Sequence, residues 1–525
     1  MPGATWIPKP IDRDPWAAAY PPTVIRVAEV FAALSLTTDL ASGLPFEKGL
    51  RTCVVATALG GALELPSADR AALHTTALLR SIGCTAYASE NAAHFVDDTA
   101  FQAALKRLDP GDGPVFAAQM RRFGDWVPER RAELADHFLQ IAGTVGPQAA
   151  RTGCEVSRRL GGGLGLPAAA ITALDDVYER WDGLGIPDGK RGDQLTLLGR
   201  IVHVAEQAVF AHADGGIAGA VAEVRRRAGG HLDPDLAAVF VRDADALLAP
   251  LAAPDLLAAV VAADPGPTVA PDGLERLCAT LAVVADLKGT HLVGHSPHVA
   301  QVADAAAAAA GLPDRSTLRA AALLHDLGRA AVPSEVWDRP GPLGPADRER
   351  VRLHAYWTER ILRRCPGLAP LAELAAAHHE RCDGSGYHRG VRDLSPAARV
   401  LAAADVFAAA TEPRPYRPAL TADAARALLR AEAAAGRLDG EACAAVVEGA
   451  GLPRLPRAWP CDLTDREVDV LRLVARGLSN RGIAAELVIS ERTVGHHLAH
   501  VYDKIGHRTR AGAAVFAVEH GLLPG

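Results

Sequence analysis

The chain has 525 residues, 49% of them apolar and 22% charged, with 5% aromatics and a net charge of −7. That length is too great for one hydrophobic core and predicts three or four domains, while an alanine-rich apolar fraction with few aromatics predicts a mainly α protein. The acidic balance excludes a bulk polyanion binder, and the eight cysteines, with no C-x-x-C spacing, argue against a disulfide frame or a thiolate zinc site.

The N-terminal "MPGATWIPKPIDRDPW" has no basic-then-apolar leader, and no run of ~18 apolar residues follows, which predicts a cytoplasmic protein with no membrane partner. Proline-rich stretches at 246–273 and 451–461 read as linkers between blocks 1–245, 274–450 and 462–525. The first two blocks repeat each other in order. "LTTDLASGLPFEKGLRTCVVATALGGALELP" runs parallel to "VVADLKGTHLVGHSPHVAQVADAAAAAAGLP", "ALLRSIGC" to "ALLHDLGR", "VYERWDGLGIPDG" to "HHERCDGSGYHRG", and "GRIVHVAEQAVF" to "ARVLAAADVFAA". The segments are apolar at helical spacing, so each block is expected to be one helical bundle.

The second copy concentrates eight of the nineteen histidines: His291, His295, His298, His325, His354, His378, His379 and His388. Within it, His295, His325-Asp326, His354, His378-His379 and Asp405 recur at intervals of 24 to 30 residues, so successive helices of a bundle can each deliver a ligand to one point. Imidazole with carboxylate suits divalent iron, manganese, zinc or nickel. Seven ligands exceed the needs of one ion. Two ions with a bridging carboxylate, for which Asp326 is the candidate, can generate a hydroxide and stabilise both oxygens of a phosphoester displacement. His291 and His298 read as surface or satisfied core histidines.

"HDLGR", "HHERCDGSGY" and the downstream Asp405 resemble the HD-GYP subgroup of the HD phosphohydrolases, over about 275–440. The resemblance implies a helical fold and a metal centre that hydrolyses cyclic di-GMP. It also implies that His295, His325, Asp326 and Asp405 hold one ion, and that Asp326 bridges to a second held by His354, His378 and His379. It places Arg329, Arg414, Tyr416 and Arg417 as substrate-binding residues, with Asp326 and Arg329 catalytic. Three departures stand out. Arg329 replaces the family's lysine, His388 replaces the proline of the naming tripeptide, and His291 stands where three-metal members carry glutamate, which favours two metals, iron, manganese or another transition metal.

Position by position, the first copy has Lys48 for His295, Arg80-Ser81 for His325-Asp326, Gly153 for His354, Val177-Tyr178 for His378-His379, and Glu206 for Asp405. Basic Lys48 and Arg80 would repel a cation. The first bundle is therefore expected to keep the fold, to drop the metal chemistry, and to serve a structural or regulatory role.

In the tail, Thr464 with Glu467 reads as a capping box, Gly477 as a helix end, and Ser479 and Ser490 as further helix starts. "LTDRE", "GLSNRGIAAEL" and "ISERTVGHH" resemble the LuxR-type helix-turn-helix, with glycine at 482 where glutamate is frequent. That resemblance implies DNA as a partner through residues 462–525 and a recognition helix at about 491–504. Ser490, Arg492, Thr493, His496, His497 and Lys504 are the candidate DNA contacts. A single recognition helix gains affinity by dimerising on two half-sites, so a homodimer is expected. The expected whole is a bacterial regulator coupling hydrolysis of a cyclic nucleotide messenger to DNA binding. The alternative is a transcription factor whose bundle senses a nucleotide or metal without turnover.

Overall fold

The computed structural model describes residues 25–264, 268–269, 271–453, 459–507, 509–520 and 522. The N-terminal stretch up to residue 24, residues 454–458 of the second proline-rich stretch, and Arg508 lie outside them. The described chain is mainly α, as its composition predicts. Its one sheet is a two-residue antiparallel ladder pairing Ile25–Arg26 with Thr268–Val269.

The internal repeat is visible helix by helix. Helix Lys48–Ala62 and helix His295–Ala310 both start on the ligand position, and each follows a residue in left-handed conformation, Glu47 or Gly294. In each copy an aspartate from the preceding helix accepts the next backbone N–H: Asp39 from Gly49 at 2.9 Å and Asp286 from Ser296 at 3.1 Å. Helices Ser67–Leu79 and Arg315–Leu324 end at Arg80 and His325, respectively. Three residues later Gly83 and Gly328 let the turn press against the backbone of Gly153 and His354, where a Cβ would collide with a carbonyl oxygen. Helices Leu197–Arg227 and Pro396–Thr411 begin at the capping residues Thr196 and Ser395 and carry Glu206 and Asp405 at the same register.

The two copies share one core. Leu34, Leu78 and Val204 from the first and Leu281, Leu324 and Leu401 from the second belong to a continuous buried cluster, each such side chain contributing about 1.5–3 kcal/mol. The segment 246–273, expected to be a linker, instead holds a 3-10 turn at Ala249–Ala252 and helix Leu256–Ala263. Its Leu256, Leu257, Val260 and Val261 are buried in that core. Proline there starts and stops short helices because the apolar residues between prolines have a surface to cover. Polar contacts also cross the seam: buried Asp98 pairs with Lys288 and accepts the Ser334 N–H at 2.7 Å, and half-buried Arg364 reaches Glu47 at 2.6 Å and Asp255 at 3.0 Å.

The C-terminal residues build a separate small core from Val468, Leu471, Ile483, Val494, Leu498 and Val501. Among the described residues no single helix is long and apolar enough to cross a membrane.

Candidate metal centre

Five elements converge on one buried point. His295 opens its helix, His325 and Asp326 sit in the tight turn after Leu324, and His354 lies mid-way along Pro345–Arg364. His378 and His379 close the Ala377–His379 turn, and Asp405 lies on Pro396–Thr411. All seven predicted ligand residues come together, and six of them are buried, with His379 partly so.

Asp326 stands between two sets. Its Oδ1 faces Nε2 of His354 at 3.3 Å and of His378 at 3.5 Å, while its Oδ2 faces Nε2 of His325 at 2.8 Å and of His295 at 3.6 Å. Asp405 Oδ1 lies 3.3 Å from His295 Nε2 and 3.8 Å from His325 Nε2. Candidate ligand atoms cluster as His295, His325 and Asp405 on one side and His354, His378 and His379 on the other.

The surrounding shell prepares these atoms for a cation. Nδ1 of His325 donates to the Ala322 carbonyl at 2.6 Å, Nδ1 of His378 to that of Ala375 at 2.8 Å, and Nδ1 of His354 to that of Val351. With Nδ1 protonated, each Nε2 lone pair is free to coordinate. Burial, more than any neighbour, lowers His378 to about 4 and His379 well below the ordinary value, so both are neutral donors at physiological pH. Burial pushes the Asp326 and Asp405 carboxyls up, but Arg329 and His325 around the first, and the histidines around the second, outweigh it and hold both well below the carboxylate range. Nε2 of His295 and His325 and both oxygens of Asp326 are buried without a well-formed hydrogen bond. Such groups are costly to bury unless something satisfies them, and borderline divalent ions fit this donor set.

Around the cluster the substrate candidates separate. Arg329 is 6% exposed; it places NH2 2.7 Å from Asp326 Oδ2 and its guanidinium over the Trp337 ring. Arg414 bonds the His291 carbonyl at 3.1 Å and Glu412 at 3.0 Å, beside His295. Tyr416 is exposed at the tip of the same turn. Arg417, expected at the phosphates, is engaged with the backbone here. Its guanidinium donates to the carbonyls of Ala409, Ala410, Glu412 and Pro418, because the end of helix Pro396–Thr411 leaves those acceptors open. His388 turns to Glu359 at 2.9 Å, and His291 to Asp338 at 3.1 Å, so neither is a ligand here.

Sequence reasoning missed Glu412. Its two oxygens take Nδ1 of His295 and of His298, each at 2.7 Å. It is the carboxylate behind the candidate ligand His295, and "ATEPRPYR" carries no signal for it beyond proximity in sequence to Asp405.

In the tail, Thr464 and Glu467 form the predicted capping box, Ser479 caps Asn480–Leu487, and Ser490 caps Glu491–Ile505. Ser490 and Thr493 bond each other at 2.7 Å as part of that cap. Along the last helix Val494, Leu498 and Val501 are buried, Arg492 and His496 are exposed, and His497 is half-buried. Lys504, expected as a DNA contact, is held within the domain. Its ammonium binds Glu467 Oε2 and the Asp462 carbonyl, both at 2.8 Å, because the nearly buried capping carboxylate needs a counter-charge.

Comparison with known proteins agrees with this geometry. Residues 279–442 match the HD domain family, and residues 462–517 match the bacterial regulatory proteins of the luxR family. The 3'3'-cGAMP-specific phosphodiesterase 3 of Vibrio cholerae is 30% identical over 416 residues, 77% of this chain and 90% of that protein. The cyclic di-GMP phosphodiesterase of Thermotoga maritima is 42% identical over 101 residues, 18% of this chain and 27% of that protein. A crystal structure of a cyclic GMP-AMP-specific phosphodiesterase of Vibrio cholerae superposes with a TM-score of 0.57 at 25% identity, covering 82% of this chain and 99% of that one. The chain thus belongs to the HD-GYP-type phosphodiesterases, a metal-dependent family of HD-domain proteins, and carries a luxR-family DNA-binding domain at its C-terminal end.

Proposed function

We propose that the second bundle, residues 274–450, hydrolyses a cyclic dinucleotide at a two-metal centre and so governs DNA binding by residues 462–525. The observation that carries this reading is the position of Asp326, one oxygen toward each histidine set. His295, His325, Asp326 and Asp405 would hold one ion, and Asp326, His354, His378 and His379 the other. Bound divalent iron or manganese would supply an activated water and charge neutralisation at phosphorus. The protein's own part is to hold His295, His325, His354 and His378 by Nδ1–H, to keep the carboxylates ionised, and to seat the phosphodiester. Arg329 and Arg414 are the basic groups placed for that seat, and Arg329 as a planar fork can pair two phosphate oxygens.

The relatives that match act on 3'3'-cGAMP or cyclic di-GMP by name, and both share the two phosphodiesters this site would meet. The test is turnover of each by the purified chain loaded with iron or manganese, beside Asp326→Ala. Hydrolysis absent from the variant supports the reading. Stoichiometric metal with no turnover of either sinks it.

One contact favours a second reading. Arg329 lies on Asp326 Oδ2, where it competes with a cation for the bridging carboxylate. A bundle that binds nucleotide without cleaving it would show saturable binding and no product. On DNA the chain is proposed to act as a homodimer, and a monomer that binds its operator tightly counts against that.

A further inference from the structure

The first bundle has replaced its metals with side-chain cations and still keeps a cavity. Lys48 and Arg80, at the positions of His295 and His325, both pair with Glu206, at the position of Asp405. Beside them lies a cavity of about 370 Å³. Its floor holds Arg80, Lys106 and Glu206, and its walls are largely apolar, among them Phe101, Phe138 and Ile186.

The charges on that floor do not balance. Glu206 answers two cations at once, while burial pushes the Asp39 carboxyl up and the Lys48 ammonium down from their ordinary values. Lys106 contacts Ser81 Oγ at 3.3 Å and Cys84 Sγ at 3.7 Å, and among the described residues it makes no ion pair. Arg80 is 9% exposed, and its Nε is buried with no hydrogen-bond partner. The other charged groups on the wall are already committed. Arg180 pairs with Asp109 and Asp182, and Glu179 accepts the N–H groups of Asp188 and Lys190. What remains is a surplus of positive charge, with the Lys106 ammonium lacking a carboxylate partner among the described residues, at one end of a largely apolar chamber. Unsatisfied donors of that kind favour an anionic partner.

Size narrows the class. A cavity of about 370 Å³ is near the lower end of small-molecule sites. A positive end and largely apolar walls favour an amphipathic anion over a sugar phosphate or a free inorganic anion. We propose that the first bundle is a binding domain for a small amphipathic monocarboxylate, its carboxylate on Arg80 and Lys106 and its apolar body between Phe101, Phe138 and Ile186. This assignment is independent of turnover by the second bundle.

The experiment is calorimetric titration of the full chain with decanoate and, separately, 2-naphthoate, which distinguish an aliphatic from an aromatic body. The neutral analogues 1-decanol and 2-naphthol serve as controls. The expected result is saturable binding of at least one acid, one per chain, with its neutral analogue at least tenfold weaker. Lys106→Met, which keeps the stem and removes the charge, should weaken it at least tenfold, and Ala142→Trp, which fills the cavity from its wall, should abolish it. The proposal is overturned by absence of saturable binding of both acids to the unmodified chain, by neutral analogues that bind as tightly, or by variants that melt normally and bind unchanged.

Discussion

Lys48 donates to Glu206 at the point where, in the second bundle, His295 faces Asp405. The two pairs occupy equivalent places at a helix start and on the facing helix. One is a finished ion pair between side chains, and the other is a set of lone pairs and carboxylate oxygens directed at a shared space. Duplication kept the backbone and resolved the buried charge in two different ways.

The first bundle should lose stability in acid in two stages. Burial, followed by Arg80, lowers His203 to about 4, and burial pushes Glu206 up but Arg80 and Lys48 outweigh it and hold it at about 2. Both groups have depressed values, so their contributions are complete above the ordinary values and vanish as pH falls through the folded ones. His203 acts between about 6.5 and 4, and Glu206 between about 4.5 and 2. Each shift corresponds to roughly 3 kcal/mol. Thermal melts from pH 7 to pH 3 should show the decline, and Glu206→Gln should flatten its lower part while costing about 3–5 kcal/mol at neutral pH through the stranded cations.

If Asp326 bridges two ions as proposed, removing it should empty both positions. Metal analysis of Asp326→Ala after reconstitution is expected to find neither ion and turnover at background, whereas His354→Ala should retain one ion per chain. Equal metal content in Asp326→Ala and the unmodified protein would show that the carboxylate is not shared.

Glu412→Gln tests the group behind His295. It keeps the shape and removes the charge that orients the imidazole, so metal affinity should fall ten- to a hundredfold. A chelator titration reads this directly, and the melting temperature should move little, because Glu412 is partly solvent-exposed.

The recognition helix separates readers from supports. Arg492→Ala should weaken DNA binding and lower the salt slope by about one if it meets a phosphate. Lys504→Ala should act through folding, by roughly 1–3 kcal/mol, because it strands the Glu467 carboxylate in the capping box. Fluorescence anisotropy on operator DNA at several salt concentrations, paired with melting curves, tells the two apart.

Where local chemistry decides the outcome, the residues alone foretold it. Thr464, Glu467, Ser479 and Ser490 cap where their side chains must, and the seven candidate ligand residues lie at helix starts, turns and helix interiors that the packed bundle brings to one point. What escaped the sequence depends on which neighbour a side chain meets in three dimensions. Arg417 and Lys504 carry the charge their expected roles need, yet unsatisfied carbonyls and a buried carboxylate claim them first. The stretch 246–273 reads as a linker because proline is frequent there, and only the opposing core shows that its leucines and valines are buried. Glu412 is legible only once His295 is in place.

Asp98 starts the helix Asp98–Leu105, which supplies Phe101 to the cavity wall, and its carboxylate crosses into the other bundle to meet Lys288 and the Ser334 N–H. Lys288 has no exposed surface. Either bundle produced alone would strand one of these charges, so each copy holds half of a buried pair that only the other completes.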